Sequence, residues 1–192
     1  GDVAGHGLEA TRQMGAIRSM LRTLSASLDG EPRAVIGRAR ELFRPVCGDD
    51  VPFTTVLICR VGITDGLTKV VSAGHPPPVL GTRDGRPRLV TIDPVPPLGV
   101  PCDLDAAPIE LTLHAGEWLA LFTDGVFERR DLPLDLAITS AMSAIAGAPT
   151  AHEVLAAGES ASALNPDDRA VIIVERLPVG RTAARPARTP TS

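Results

Sequence analysis

The sequence predicts an α+β fold in which helices pack on antiparallel sheets. Three observations carry that reading. The hydrophobic period is helical from Leu8 to Phe43, turns strand-like from Phe53, and is helical again from about Leu134. The strands between are separated by short turns and not by helices, so neighbours pair antiparallel and not through βαβ crossovers. The length, 192 residues, suits one domain with a tail.

Each element has its own signal. Gly1 to Gly7 reads as a strand end running into a glycine turn. Leu8 to about Leu28 is helical, with Leu8, Met14, Ile17, Met20, Leu21 and Leu24 at three- and four-residue steps. Asp29-Gly30 stops it, and Glu31-Pro32 starts a second helix that carries Val35, Ile36, Ala39, Leu42 and Phe43 and ends before Pro45. Phe53 to Val61, a turn at Thr64-Asp65-Gly66 and Leu67 to Ala73 form a hairpin. Gly74-His75-Pro76-Pro77-Pro78 is a stiff loop. Short strands follow at Val79-Leu80 and from Arg88 to Ile92, then a proline-rich extended segment to Pro101. Ile109 to Leu113 and Glu117 to Phe122 are strands joined by the turn at His114 to Gly116. Leu134 to Ala146 and Ala151 to Ala163 are helices, and Val171 to Glu175 is a last buried strand. From Pro178 the chain has no apolar period, which predicts a disordered tail over 178–192 after a domain over 1–177.

Composition excludes several classes. The formal net charge is −4, which argues against nucleic-acid binding and a polybasic membrane anchor. No apolar run approaches the roughly 20 residues of a membrane span. Three scattered cysteines, Cys47, Cys59 and Cys102, fit neither a disulfide framework nor a zinc site, and read as reduced thiols of a cytoplasmic protein. The spacing of Gly1, Gly5 and Gly7 matches neither a dinucleotide nor a Walker phosphate loop.

Candidate chemistry lies in the aspartate turns. Thr64-Asp65-Gly66 and Thr123-Asp124-Gly125 are the same tripeptide in two settings. The first lies between amphipathic strands and is explained as a hairpin turn. The second follows Trp118-Leu-Ala-Leu-Phe122, a strand without alternation and therefore central. Asp167 precedes another apolar strand, and Asp2 ends a third. Two readings stay open at this point: solvated turns, or carboxylates converging on a cation, which as an all-oxygen set suits Mg²⁺ or Mn²⁺.

The ordered pattern narrows the choice. Gly1-Asp-Val-Ala-Gly-His-Gly-Leu-Glu-Ala10, Phe53-Thr-Thr-Val56, Ser72-Ala-Gly-His-Pro-Pro-Pro78, Pro97-Leu-Gly-Val100, Leu121-Phe-Thr-Asp-Gly-Val-Phe-Glu-Arg129 and Asp167-Asp-Arg-Ala-Val-Ile-Ile-Val174 occur in that order. Together they resemble the PPM-type (type 2C) metal-dependent Ser/Thr protein phosphatases, in the SpoIIE/RsbU-like branch. The resemblance implies an α-β-β-α sandwich, two packed antiparallel sheets flanked by helix pairs. It implies two Mn²⁺ or Mg²⁺ ions, with Asp2 bridging both, the Val3 carbonyl as a further ligand, and Asp124 and Asp167 as the remaining carboxylates. Asp168 ranks second, because related phosphatases often carry Asn there. The metals would activate a water that attacks phosphorus in line, with no phospho-enzyme. The substrate would be a phosphoserine or phosphothreonine on a regulatory protein such as an anti-sigma-factor antagonist.

Two histidines are secondary. His6 is a candidate general acid by resemblance, although it stands four residues after Asp2, where type 2C enzymes place a His two after it. The competing reading is a residue of the first helical turn that shapes the loop. His75 reads as structural, locked among prolines. Gly5 and Gly7 are expected to take positive φ or allow close backbone approach. The family domain begins some tens of residues earlier, so the sequence reads as a fragment lacking N-terminal strands and an upstream sensor domain. It is expected to fold and bind metal poorly alone. The alternative function is a non-catalytic module of the same fold that binds a regulatory partner.

Overall fold

A computed structural model describes residues 1–5, 7–48, 53–82, 85, 87–93, 95–102, 107–127, 132–143, 150–161 and 169–178. In chain order the elements are β1 (Asp2–Val3), α1 (Leu8–Ser27), α2 (Pro32–Cys47), β2 (Thr54–Val61), β3 (Leu67–Ala73), β4 (Val79–Thr82) and β5 (Arg88–Leu89). β6 (Ile109–Thr112), β7 (Glu117–Phe122), a 3-10 turn (Asp124–Val126), α3 (Leu134–Ser143), α4 (Ala151–Ala161) and β8 (Val171–Glu175) follow. No helix among the described residues is long and apolar enough to cross a membrane. The tail from 179 lies outside the described residues.

Two four-stranded antiparallel sheets result, in the orders β1-β2-β3-β6 and β5-β4-β7-β8. The period of two along each strand sorts side chains into three apolar layers. Val56, Val71 and Ala73 of the first sheet pack with Ile17, Met20 and Leu24 of α1 and Val35, Ile36, Ala39 and Phe43 of α2. Their neighbours Cys59, Val61, Ile109 and Leu111 turn the other way and meet Leu80, Leu119, Leu121 and Val174 of the second sheet. Val79, Trp118, Ala120 and Phe122 face outward from that sheet onto Ala137, Ile138 and Met142 of α3 and Val154 of α4. The sandwich is therefore helix pair, sheet, sheet, helix pair.

Several details differ from the sequence reading. The buried stripe of α1 is Gln13, Ile17, Met20 and Leu24, while Met14 and, in the first turn, Leu8 are exposed. α2 continues through Pro45 to Cys47, because proline's fixed φ suits a helix and its missing N–H costs one bond in the last turn. The helix closes with Gly48 N–H donating to the Arg44 carbonyl. The β5 strand is shorter than expected, and β8 is only partly buried, lying at an edge of its sheet with Ile172 62% exposed. The turn at His114 to Gly116 does not close a hairpin; it carries the chain from the first sheet (β6) to the second (β7). The loop 74–78 makes the same change of sheet between β3 and β4.

Polar contacts fix the irregular parts. Arg40 donates to the carbonyls of Pro96, Pro97 and Val100, and Arg44 to that of Gly99, which holds the proline-rich segment on α2. At one end of the sandwich Arg176, just past β8, donates to the carbonyls of Thr64, Asp65 and Leu113 at 2.6–2.9 Å. One guanidinium thereby ties the second sheet to the β2–β3 turn and the end of β6. A hydrogen bond involving a charged group contributes about 1.5–3 kcal/mol, and these three share one partly exposed guanidinium, so their sum falls well short of three times that. Arg176→Ala should therefore lower the unfolding free energy by about 2–3 kcal/mol in a urea melt. Arg176→Lys should recover little of it, because an ammonium lacks the planar fork that reaches several carbonyls at once.

Candidate metal centre

Asp2 and Asp124 come to the same end of the sandwich from different sheets. Asp2 lies in β1 opposite Thr55 of β2, and Val3 lies opposite Thr54. The Val3 side chain is buried in the first sheet's core, and Ala4 N–H donates to the Phe53 carbonyl at 3.2 Å. This fixes the Asp2 backbone against β2. Beyond it the chain turns through Gly5 and Gly7 at φ +120° and +86°, values that side chains rarely adopt. The Gly7 carbonyl accepts the Thr11 N–H, which starts α1.

Asp124 is positioned by the middle of the second sheet. β7 has β4 on one side and β8 on the other. The ladder runs one step past the strand end: Thr123 N–H donates to the Ala170 carbonyl at 3.0 Å, and Ala170 N–H donates to Thr123 Oγ1 at 2.9 Å. Asp124 then opens the 3-10 turn, where its Oδ1 accepts the Gly125 N–H at 3.0 Å. Below it Phe122 and the fully buried Phe127 meet edge to face at 4.8 Å.

His75 joins the two segments: it contacts Thr55, opposite Asp2, and the carbonyl of Phe122, two residues before Asp124. A cavity of about 100 Å³ beside Gly1 is lined by Leu57 of the first sheet and Leu121, Phe122, Thr123, Ala170 and Ile172 of the second, with His75. Asp65 sits elsewhere. Its Oδ1 accepts the Leu67 N–H at 3.0 Å, and its carbonyl is one of those held by Arg176. That end is separated from Asp124 by the six residues of β7, a length of roughly 17 Å.

Asp167, Asp168 and His6 lie outside the described residues. Among the described residues no group of three or more His, Cys, Asp or Glu is placed to hold a metal. The two carboxylates and the Val3 carbonyl are oxygen donors, and a carboxylate accepting one hydrogen bond keeps lone pairs for a cation. That donor chemistry fits Mg²⁺ or Mn²⁺.

His75 does more than the sequence suggested. Its Nδ1 lies 2.9 Å from Thr55 Oγ1 and its Nε2 3.1 Å from the Phe122 carbonyl. A carbonyl only accepts, so Nε2 carries the proton and, in the neutral ring, Nδ1 accepts from the Thr55 hydroxyl. Ser72 Oγ holds the backbone, donating to the His75 carbonyl and accepting its N–H. Gly74 precedes it at φ +70°, and a Cβ there would stand 2.4 Å from Pro97 Cγ. The sequence signal was a polar ring locked by prolines where the chain changes sheets. Its partner Phe122, 47 residues away, was not legible.

Comparisons with known proteins agree with this architecture. The profile of the family described as Stage II sporulation protein E (SpoIIE) matches residues 1–177. The structure of the RsbU and RsbW domains of Rv1364c from Mycobacterium tuberculosis superposes with TM-score 0.75 at 26% identity, over 92% of this chain and 50% of that one. The PP2C phosphatase domain with a fragment of the regulatory domain of SpoIIE from Bacillus subtilis gives 0.71 at 18%, over 90% and 52%. RsbX in complex with magnesium gives 0.63 at 17%, over 90% and 76%. The chain spans about half the length of the first two. The likenesses to SpoIIE and RsbX concern the fold.

Burial pushes the His75 pKa down from 6.5 to about 4, so the ring is neutral at pH 7. The unfolded chain binds this proton first, and stability is lost as pH falls from about 6.5 toward 4. From pH 7 to 5 the loss should exceed that of His75→Gln by about 1–2 kcal/mol, as read by urea melts at each pH. Equal losses would show that His75 titrates normally.

Proposed function

The chain belongs to the SpoIIE family, and on that premise we propose that it is the catalytic domain of a metal-dependent phosphoprotein phosphatase. The observation that supports this most is that the segments of Asp2 and Asp124, one on each sheet, are joined at one end of the sandwich through Thr55, His75 and Phe122. Carboxylates so placed repel each other and a phosphate dianion alike, and they suit a site whose charge is inverted by bound cations.

Asp2, the Val3 carbonyl, Asp124 and Asp167 would hold two Mn²⁺ or Mg²⁺ ions, with Asp168 as the next candidate. When bound, such cations lower the pKa of water into the neutral range and neutralise phosphoryl oxygens. The short β7–β8 ladder at Thr123 and Ala170 keeps Asp124 from following a substrate's pull. His6, close behind Asp2 in sequence, is the candidate proton donor to the leaving group. A cysteine nucleophile gains no support, because burial pushes the Cys59 thiol up to about 11. The magnesium in RsbX supports the choice of ion. The pairing of RsbU and RsbW domains in Rv1364c supports a regulatory protein as the phosphorylated substrate.

Hydrolysis of a phosphoserine peptide by the protein should appear with Mn²⁺ and vanish with EDTA. Asp124→Asn should reduce turnover at least about 100-fold, since even residues behind the ligands cost 10–100-fold, with little change in melting temperature. Asp65→Asn, at the other end, should leave turnover within about twofold. Metal-independent turnover, or equal effects of the two substitutions, would contradict this assignment and favour a binding module without catalysis.

A further inference from the structure

We propose that His75 is a positioning residue that sets the separation of the Asp2 and Asp124 carboxylates by spanning the two sheets beneath them. The inference rests on the reading of those carboxylates as metal ligands. Its evidence is a short chain of contacts. Asp2 pairs across the first sheet with Thr55. Thr55 Oγ1 lies 2.9 Å from His75 Nδ1, and His75 Nε2 lies 3.1 Å from the carbonyl of Phe122. Phe122 ends β7 two residues before Asp124. One imidazole thus joins the residue opposite one carboxylate to the residue just behind the other.

The ring suits that task for three reasons. It is rigid, so the distance between its two nitrogens is fixed. Its backbone is held by both hydrogen bonds of Ser72 Oγ and by the prolines that follow. Its two contacts differ in direction: the carbonyl requires a donor at Nε2, and the hydroxyl of Thr55 supplies the proton that Nδ1 lacks. A ring protonated on both nitrogens would face that hydroxyl as a second donor, and the hydroxyl would have to turn its hydrogen away. The layer between the two sheets is apolar, and apolar contact resists separation but permits sliding. A directional bond between the sheets removes that freedom where the ligand distance is set.

The two amide side chains separate positioning from plain support. Gln places its NH₂ near the Nε2 position and can keep the bond to Phe122. Asn reproduces the Nδ1 position, keeps the contact with Thr55 and loses Phe122. Mn²⁺ affinity by calorimetry and thermal midpoint without metal are measured on the full chain for wild type, His75→Gln, His75→Asn and Thr55→Val. Mn²⁺ binding should weaken about tenfold or more in His75→Asn and much less in His75→Gln, as for groups that orient metal ligands. The two midpoints should be similar. Thr55→Val should weaken binding in between, and long-range ¹H–¹⁵N spectra of wild type at pH 7 should show His75 neutral with its proton on Nε2. Affinity that follows the midpoint in all variants, or a proton on Nδ1, would overturn the role of His75 alone. Absence of Mn²⁺ binding by wild type would overturn the metal reading, and this one with it.

Discussion

The alignment of the two sheets is the constraint on which the rest of the molecule depends. The layer between them is apolar: Cys59, Val61, Ile109 and Leu111 against Leu80, Leu119, Leu121 and Val174. Such burial is strong and without direction, at about 25 cal/mol per Å² of apolar surface, so it fixes the spacing of the sheets better than their register. Register is supplied by polar contacts at the two ends. Arg176 ties the second sheet to the carbonyls of Thr64, Asp65 and Leu113 at one end. His75 joins Thr55 to Phe122 at the other. Both side chains reach backbone carbonyls, whose positions follow the sheets directly.

The proposed metal centre would lie across that layer and inherit its geometry. Asp2 belongs to the first sheet and Asp124 follows a strand of the second, so both proposed ligands stand on the sheets and not on a helix pair. The helices act at a distance, by covering the outer faces of the sheets with Phe43, Ile36, Ile138 and Met142. A binding site supported on strands is held more tightly than one on loops, which is what a bridging carboxylate needs. The same arrangement makes the site sensitive to any relative movement of the sheets.

Much of this was legible in the sequence, and the reasons are specific. The period of two in Thr54–Val61 and Leu67–Ala73 gave a hairpin whose boundaries hold within a residue. The unbroken apolar run of β7 marked a central strand, and so gave Asp124 a setting that its twin Asp65 lacks. What the sequence concealed is which strands share a sheet. The turn at 114–116 has the composition of a hairpin turn yet crosses between sheets, because the partners of β6 and β7 are β3, β4 and β8 and not each other. Long-range pairing of that kind leaves no local signal. His75 was undervalued for the same reason: its prolines are visible nearby, whereas Thr55 and Phe122 lie 20 and 47 residues away. Asp167, Asp168 and His6, which the family pattern points to, fall outside the described residues.

The measurement that tests the account most directly is a Mn²⁺ titration followed by paramagnetic broadening of backbone amide signals. Broadening falls steeply with distance from the ion and so reports where the metal sits. If Asp2 and Asp124 share one centre, the amides of Val3, Ala4, Gly125 and Val126 will broaden together at the first additions of metal. Those of Gly66, Leu67 and Gly116, at the Arg176 end, will stay sharp. Broadening confined to one of the two carboxylate segments, or centred on the Asp65 turn, would contradict the claim that the two sheets build a single metal site.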